Sequence, residues 1–293
     1  MCRTSVLCAC LIAGLVLSAA GAASEDQRGQ RWAVVVGVND YAELEDLQYC
    51  KSDASALRDR LVEVGFPEEN VFLLADGAAD AKDRPTKANI ETRIGNVLAV
   101  AEQGDLVLVS FSGHGMHLDG TTFLCPTGAR IDNPEGTMIP LPAIYRKLDR
   151  CKASRKLLWA DACRDDPRPG GSKSAAAHAK SVAGVVESLK APPEGILTLS
   201  SCGGGEVSFE DQSLGHSIFM HFVLEGLSGK ADEHPGWGNG DGLISLLELF
   251  QYTSQNTKRR ALRAFHAPQC PECTGRMTSM RQIVCGVTDS DGE

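Results

Sequence analysis

The run Asp105-Leu106-Val107-Leu108-Val109-Ser110-Phe111-Ser112-Gly113-His114-Gly115 decides the fold, together with a second run that ends in the same way, Lys156-Leu157-Leu158-Trp159-Ala160-Asp161-Ala162-Cys163-Arg164. Short β-branched and leucine-rich runs bounded by glycine or charge read as buried parallel strands. Each delivers one reactive side chain, a histidine or a cysteine, at a strand's C-terminal end, the edge of an open α/β sheet where sites are built. A thiol and an imidazole brought together there make a nucleophile and its base. Side chains alternate along a strand, so Ser112 shares a direction with His114, and Asp161 with Cys163, if the extended geometry persists that far. Gly113 and Gly115 leave the backbone around His114 bare, which permits unusual dihedrals and lets a substrate carbonyl approach a main-chain N–H.

Outward from these runs, strand and helix patterns alternate. Trp32–Val38 and Val71–Leu74 read as strands. Between them Asp53–Val64 carries Leu57, Leu61 and Val64 at helical spacing. Thr86–Ala101 is a helix with Thr86 as N-cap, and a hairpin turns at Asp119-Gly120 into Thr121–Leu124. Leu141–Cys151 reads as a helix, Gly195–Ser201 restarts the sheet, and His216–Leu227 and Ser245–Leu262 are further helices. Arg281–Cys285 is read as a last edge strand. Residues 164–194, rich in Pro, Gly, Ser, Ala and Lys, read as an exposed, mobile loop. The alternation predicts a mostly parallel sheet covered on both faces, in one large α/β domain.

The chain of 293 residues carries a formal charge of −9 and no basic run interleaved with aromatics, so nucleic acid is excluded as a partner. At the N-terminus, Arg3 precedes an apolar run from Val6 to Ser18, and Ala20-Gly21-Ala22 fits a small-x-small cleavage site. Residues 1–22 are therefore expected to be a signal peptide. The mature chain would be exported, periplasmic or secreted, with no membrane span. Of the eleven cysteines, eight lie beyond that segment. Cys270-Pro271-Glu272-Cys273 lacks a second pair at ligand spacing and is read as a local disulfide rather than a zinc site.

Phe111-Ser112-Gly113-His114-Gly115, followed 49 positions after the histidine by Cys163 within Asp161-Ala162-Cys163-Arg164, resembles the caspase-like cysteine peptidases, in their metacaspase and bacterial caspase-like (orthocaspase) branch. A histidine about 50 residues before Q-A-C-[RQG]-G is the known caspase pattern. This chain departs from it with Asp161 at the glutamine and Asp165 at the final glycine, and an aspartate two before the cysteine is what the metacaspase-like branch carries. Leu47-Gln48-Tyr49-Cys50-Lys51-Ser52-Asp53-Ala54 looks like the segment whose cysteine and aspartate line the metacaspase S1 pocket. Leu199–Cys202, Glu206–Glu210 and Gly215–Phe219 look like small-subunit segments along which substrate lies. The similarity runs over about residues 30–260.

The resemblance implies a caspase-like fold, with a mostly parallel six-stranded sheet, over residues 30–262 and a C-terminal tail at 263–293. It implies a Cys-His dyad: Cys163 as nucleophile, His114 as its base, and the N–H groups of Gly115 and Cys163 as oxyanion hole. The S1 pocket would be Cys50, Asp53, Ser112 and Asp161. Two carboxylates in one pocket suit a guanidinium through paired charge-assisted bonds, so the expected partners are peptides and proteins with Arg or Lys at P1. Metacaspases often use calcium held by acidic residues between histidine and cysteine. Here Asp132 and Glu135 stand there, but no acidic cluster does. Asn239, Asp241, Gly242, Ile244 and Glu248 fall at EF-hand positions 3, 5, 6, 8 and 12, but Trp237 takes the first ligand position, and a turn before a capped helix is the reading. No metal or cofactor is expected. Arg164, Arg168, Lys173, Lys180 and Lys190 after Cys163 offer sites for self-cleavage. The alternative of another class is a non-catalytic caspase-like binding or scaffold module.

Overall fold

The computed structural model describes residues 29–162, 175–275 and 277–288. The expected export segment, Cys163 and the 164–174 part of the expected loop lie outside the described residues.

Strand β1 (Arg31–Gly37) leads into α1 (Cys50–Glu63), β2 (Val71–Ala75), α2 (Lys87–Val100) and β3 (Leu106–Ser112). A hairpin of β4 (Gly115–Leu118) and β5 (Thr121–Leu124) follows. It turns through Asp119 and Gly120, both at positive φ (48° and 81°), as a two-residue type I′ turn requires. Next come α3 (Pro134–Thr137), β6 (Ile139–Pro140), α4 (Leu141–Arg150) and β7 (Arg155–Asp161). The second half holds α5 (Ala175–Leu189), β8 (Ile196–Ser200), β9 (Glu210–Asp211), β10 (His216–Ser217) and α6 (Ile218–Glu225). It closes with β11 (Leu243–Ser245), α7 (Leu246–Phe265), β12 (Glu272–Thr274), α8 (Met277–Gln282) and β13 (Val284–Val287).

The main sheet has six strands in the order β12-β8-β7-β3-β1-β2. All its pairings are parallel except that of β12 with β8. Because both faces are covered, each central strand is mostly apolar and buried, and alternation divides it between two cores. Ala33, Val35, Leu106, Leu108, Leu157 and Trp159 meet Leu57 and Leu61 of α1, Phe219 and Val223 of α6 and Leu249 of α7. Val34, Val36, Val107, Val109, Leu158 and Ala160 meet Ile90 and Ile94 of α2, Ile144 and Leu148 of α4 and Val185 of α5. Ser112 and Asp161 have the parity of the first set, which turns them toward α1.

Three expectations are corrected. The 164–194 segment is not loop throughout, since α5 occupies Ala175–Leu189. Val182, Val185, Val186 and Leu189 are buried at helical spacing, a stripe diluted in the sequence by small residues. The edge of the main sheet is β12, not Arg281–Cys285, because Val284–Val287 pairs antiparallel with β11 in a separate ribbon. Cys270 and Cys273 carry free thiols rather than a disulfide. Cys273 is held opposite Leu199 in β12, whereas the Cys270 N–H is drawn to Glu206 Oε2 at 2.6 Å.

Helix α5 closes over the β4–β5 hairpin. The His117 N–H donates to Ser181 Oγ at 3.1 Å, His117 Nδ1 meets Thr122 Oγ1 at 2.8 Å, and Thr122 Oγ1 meets Ser188 Oγ at 2.7 Å. Gly184 lies flat on His117, where a Cβ would overlap the imidazole and its own Cβ. Gly184→Ala should therefore destabilise the chain by about 1–3 kcal/mol, read as a lower denaturant midpoint at unchanged m. An unshifted midpoint would show that this helix does not depend on close packing against the hairpin.

Candidate active site

Strand β3 and strand β7 pair in register from Leu106 opposite Arg155 to Ser112 opposite Asp161, so they end side by side. The link continues one step beyond, where the Gly113 N–H donates to the Asp161 carbonyl at 3.1 Å. The chain then bends at Gly113, so the extended geometry stops at Ser112 and does not carry to His114. The bend sets the buried His114 ring beside Tyr41, with centroids 4.9 Å apart, and the Tyr41 hydroxyl accepts the His114 backbone N–H at 2.9 Å.

His114 Nε2 lies 2.8 Å from the carbonyl oxygen of Glu45. A carbonyl only accepts, so Nε2 carries the hydrogen and Nδ1 is the basic nitrogen of the neutral ring. Gly115 fixes the relation to the other strand. A Cβ there would stand 2.6 Å from the Ala162 carbonyl oxygen and 3.3 Å from Val185 Cγ1. The absent side chain thus lets the end of β7 close on the histidine turn, and the next residue of that chain is Cys163. Cys163 itself lies outside the described residues.

The four expected pocket residues sit on the α1 side of this edge. Cys50 and Asp53 come from the first turn of α1, and both are fully buried; Ser112 and Asp161 are each 1% exposed. Asp53 is held twice: Oδ1 meets His216 Nδ1 at 2.5 Å and Oδ2 accepts the Ser217 N–H at 3.1 Å. Asp161 Oδ1 accepts from Ser208 Oγ at 2.6 Å, and Ser208 Oγ accepts from Gln269 Nε2 at 3.2 Å. Ser112 Oγ has no partner among the described residues. Burial raises the Asp53 pKa, the His216 hydrogen bond opposes that rise, and the nearby Asp161 charge adds to it. The arrangement is a pair of buried carboxylates on the α1 side of the edge and, beyond the bend, an imidazole whose base nitrogen is defined.

Tyr41, Glu45, Ser208, His216 and Gln269 were not singled out by sequence reasoning. Glu45 acts through its backbone, which no side-chain pattern reveals. His216 and Ser208 stand within segments matched to the small subunit, and Ser217 had a local signal, its side chain capping α6 at the Met220 N–H (3.0 Å). Among the described residues no group of three or more His, Cys, Asp or Glu is placed to hold a metal ion. Asn239 Oδ1 and Asp241 Oδ1 accept backbone N–H groups of their own turn, and Glu248 closes a capping box with Ser245. No helix among the described residues is long and apolar enough to cross a membrane.

The profile of the Caspase domain, Peptidase_C14, matches residues 30–281. The chain belongs to the caspase-domain family. Metacaspase-1 of Mycosarcoma maydis is 27% identical over 114 residues, covering 39% of this chain and 27% of that protein. Metacaspase-4 of Arabidopsis thaliana is 34% identical over 91 residues, covering 31% of this chain and 22% of its own length. The chain thus spans about a quarter of the length of these curated relatives. Among solved structures, caspase-1 from Spodoptera frugiperda superposes with a TM-score of 0.53 at 16% identity, over 91% of this chain and 93% of its own. A protein of Geobacter sulfurreducens gives 0.57 at 15% identity, over 89% of this chain and all of its own. These two establish the caspase-like fold.

In this caspase-domain chain Asp53 binds its proton more tightly when folded than when unfolded. The folded state therefore holds more protons, and stability falls as pH rises from the ordinary carboxylate value through the raised one. Denaturant unfolding of the wild type and of Asp53→Asn should reveal this: the wild type loses stability relative to the variant across that window and no further above it. A difference that stays flat from about pH 4 to 7 would contradict the raised affinity.

Proposed function

We propose that this chain is a cysteine endopeptidase that hydrolyses peptide bonds on the carboxyl side of arginine or lysine. The observation that carries the reading is the shared edge: a histidine with its Nε2 fixed on the Glu45 carbonyl stands at the end of β3, and its in-register neighbour β7 runs into Cys163. His114 Nδ1 takes the thiol proton, and the Cys163 sulfur attacks the scissile carbonyl carbon. The N–H groups of Gly115 and Cys163 receive the developing oxyanion. The imidazolium then gives its proton to the leaving amine, and a thioester remains. Water, deprotonated by His114, attacks the thioester; the carboxylic acid product leaves and the thiol is restored. The residues named supply every proton moved, so no cofactor is invoked.

Asp53 and Asp161 select the P1 residue in this reading. A guanidinium bridging two carboxylates forms paired charge-assisted bonds, with the Ser112 hydroxyl as a further acceptor, whereas an aspartyl side chain would add a third negative charge. Lysine offers one ammonium to the same acids. The N-terminal apolar run supports a further part of the proposal, export after removal of residues 1–22.

Cys163→Ala should abolish turnover of an arginyl amide substrate while the thermal unfolding curve stays in place; wild-type turnover in that variant would refute the proposal. Asp161→Asn keeps an acceptor for Ser208 but removes a charge. It should lower kcat/KM for the arginyl substrate by about tenfold or more, chiefly through KM. If an aspartyl peptide is the better substrate of the wild type, the pocket assignment fails while the cysteine peptidase assignment stands.

A further inference from the structure

The two pocket acids are supported differently. Asp161 leans on a neutral hydroxyl, Ser208, itself tied to the amide of Gln269. Asp53 depends on one backbone N–H and on the side chain of His216. That imidazole comes from a two-stranded ribbon braced on both sides. His216 faces Asp211 across the ribbon, and Asp211 Oδ2 is gripped by Arg260 Nε of α7 at 2.7 Å. The neighbouring Glu210 carboxylate accepts the Tyr49 N–H at 3.0 Å, just ahead of α1. The ring is thereby aimed at Asp53 rather than left to find it.

We propose that His216 is the positioning residue of the S1 pocket, donating Nδ1–H to Asp53 so that this buried carboxylate stays ionised and oriented for a basic P1 side chain. The inference rests on the proposed P1 preference and deepens it. A carboxylate taken out of water and set near a second one keeps its charge only with donors enough to replace hydration. Ser217 N–H is one donor and His216 is the other. Without the imidazole, a single N–H stands against burial and the Asp161 charge. Asp53 then takes up a proton at a higher pH, and the substrate cation loses its partner.

The charged surroundings are consistent with an imidazole committed to Asp53. From α1, Asp59, Arg60 and Glu63 line the groove on the outer side of His216. From α6, His221 lies 6.1 Å away between ring centroids, with Glu225 one turn on, 3.8 Å from its Nε2. Across the ribbon Asp211 is neutralised by Arg260, and Asp161 of β7 faces Asp53 itself. The His216 contact at 2.5 Å is closer than any of these.

The test is steady-state kinetics of the full chain with an arginyl amide from about pH 5 to 9, comparing wild type, His216→Leu and His216→Asn. His216→Leu should raise KM by about tenfold to a hundredfold, leave kcat nearly unchanged, and move the acid limb of kcat/KM to higher pH. His216→Asn, whose amide can donate to Asp53, should recover most of the KM and the position of the limb. Thermal unfolding and alkylation of Cys163 by iodoacetamide report that the variants are folded and the thiol intact. If His216→Leu does not fold, His216→Ala against His216→Asn carries the same comparison. An unchanged KM and limb in the folded variant overturns the inference, as does a lower KM, which would make His216 a competitor for the P1 site. A wild type that does not prefer arginyl over leucyl amides overturns the P1 reading instead, and this inference with it.

Discussion

The pairing of Ser112 with Asp161 is the contact on which the site depends. It is the last rung of a parallel ladder seven residues long, and it makes β3 and β7 end level with each other. A slip of one residue would reverse every side chain of β7 between the two faces. Asp161 would then point at α4 and α5 and lose both Ser208 and the neighbourhood of Asp53. Hydrophobicity does not prevent this slip, because both faces are apolar. Shape does: Trp159 fills the α1–α6 core, and Ala160 on the opposite face leaves no room for an indole.

Bringing two carboxylates together in a core is unfavourable, and the rest of the fold can be understood as support for it. Each acid has a donor that is itself anchored. Ser208 is tied to Gln269, a fully buried amide beyond α7, while His216 and Ser217 are tied through the ribbon to α1 and α7. The proposed pocket therefore draws on segments from residue 50 to residue 269. This also explains why the C-terminal region is structural: it supplies Gln269, the edge strand β12, and Met280, Ile283 and Cys285 to the core.

Much of this was legible in the sequence where burial alone dictates pattern. β1, β3, β7 and β8 are continuous apolar runs because helices cover both faces, and α2 declared itself by Thr86 and a spaced apolar stripe. Legibility failed where packing is made by small groups. The alanine-rich sequence of α5 with Gly184 at its middle conceals a helix, because Gly184 packs against His117 by having no side chain. β12 is three half-buried residues long, too short for a period, and the apolar residues after it belong to a helix end and a separate ribbon. At the site, the motifs pointed to His114, Asp53, Asp161 and Ser112, whereas the Glu45 carbonyl and the His216 contact with Asp53 follow only from three-dimensional placement.

The bend at Gly113 gives the site two supports. The proposed P1 acids are placed by strand alternation on the α1 face and held by the β9–β10 ribbon. The histidine is placed beyond the strand, by Tyr41, the Glu45 carbonyl and the hairpin on which α5 rests. A strand carrying straight on to His114 would have sent base and acids in one direction, and any shift of one would have moved the other. With the bend, the hairpin and α5 pack beside the histidine turn at Gly115 and Val185, and the ribbon reaches Asp53 through His216. The level ends of β3 and β7 join the two supports, and so does the segment before α1, which brings Tyr41 and Glu45 to the histidine and the Tyr49 N–H to Glu210 of the ribbon. The proposed side-chain recognition and the proposed bond cleavage therefore share one sheet edge and are coupled through the segment before α1.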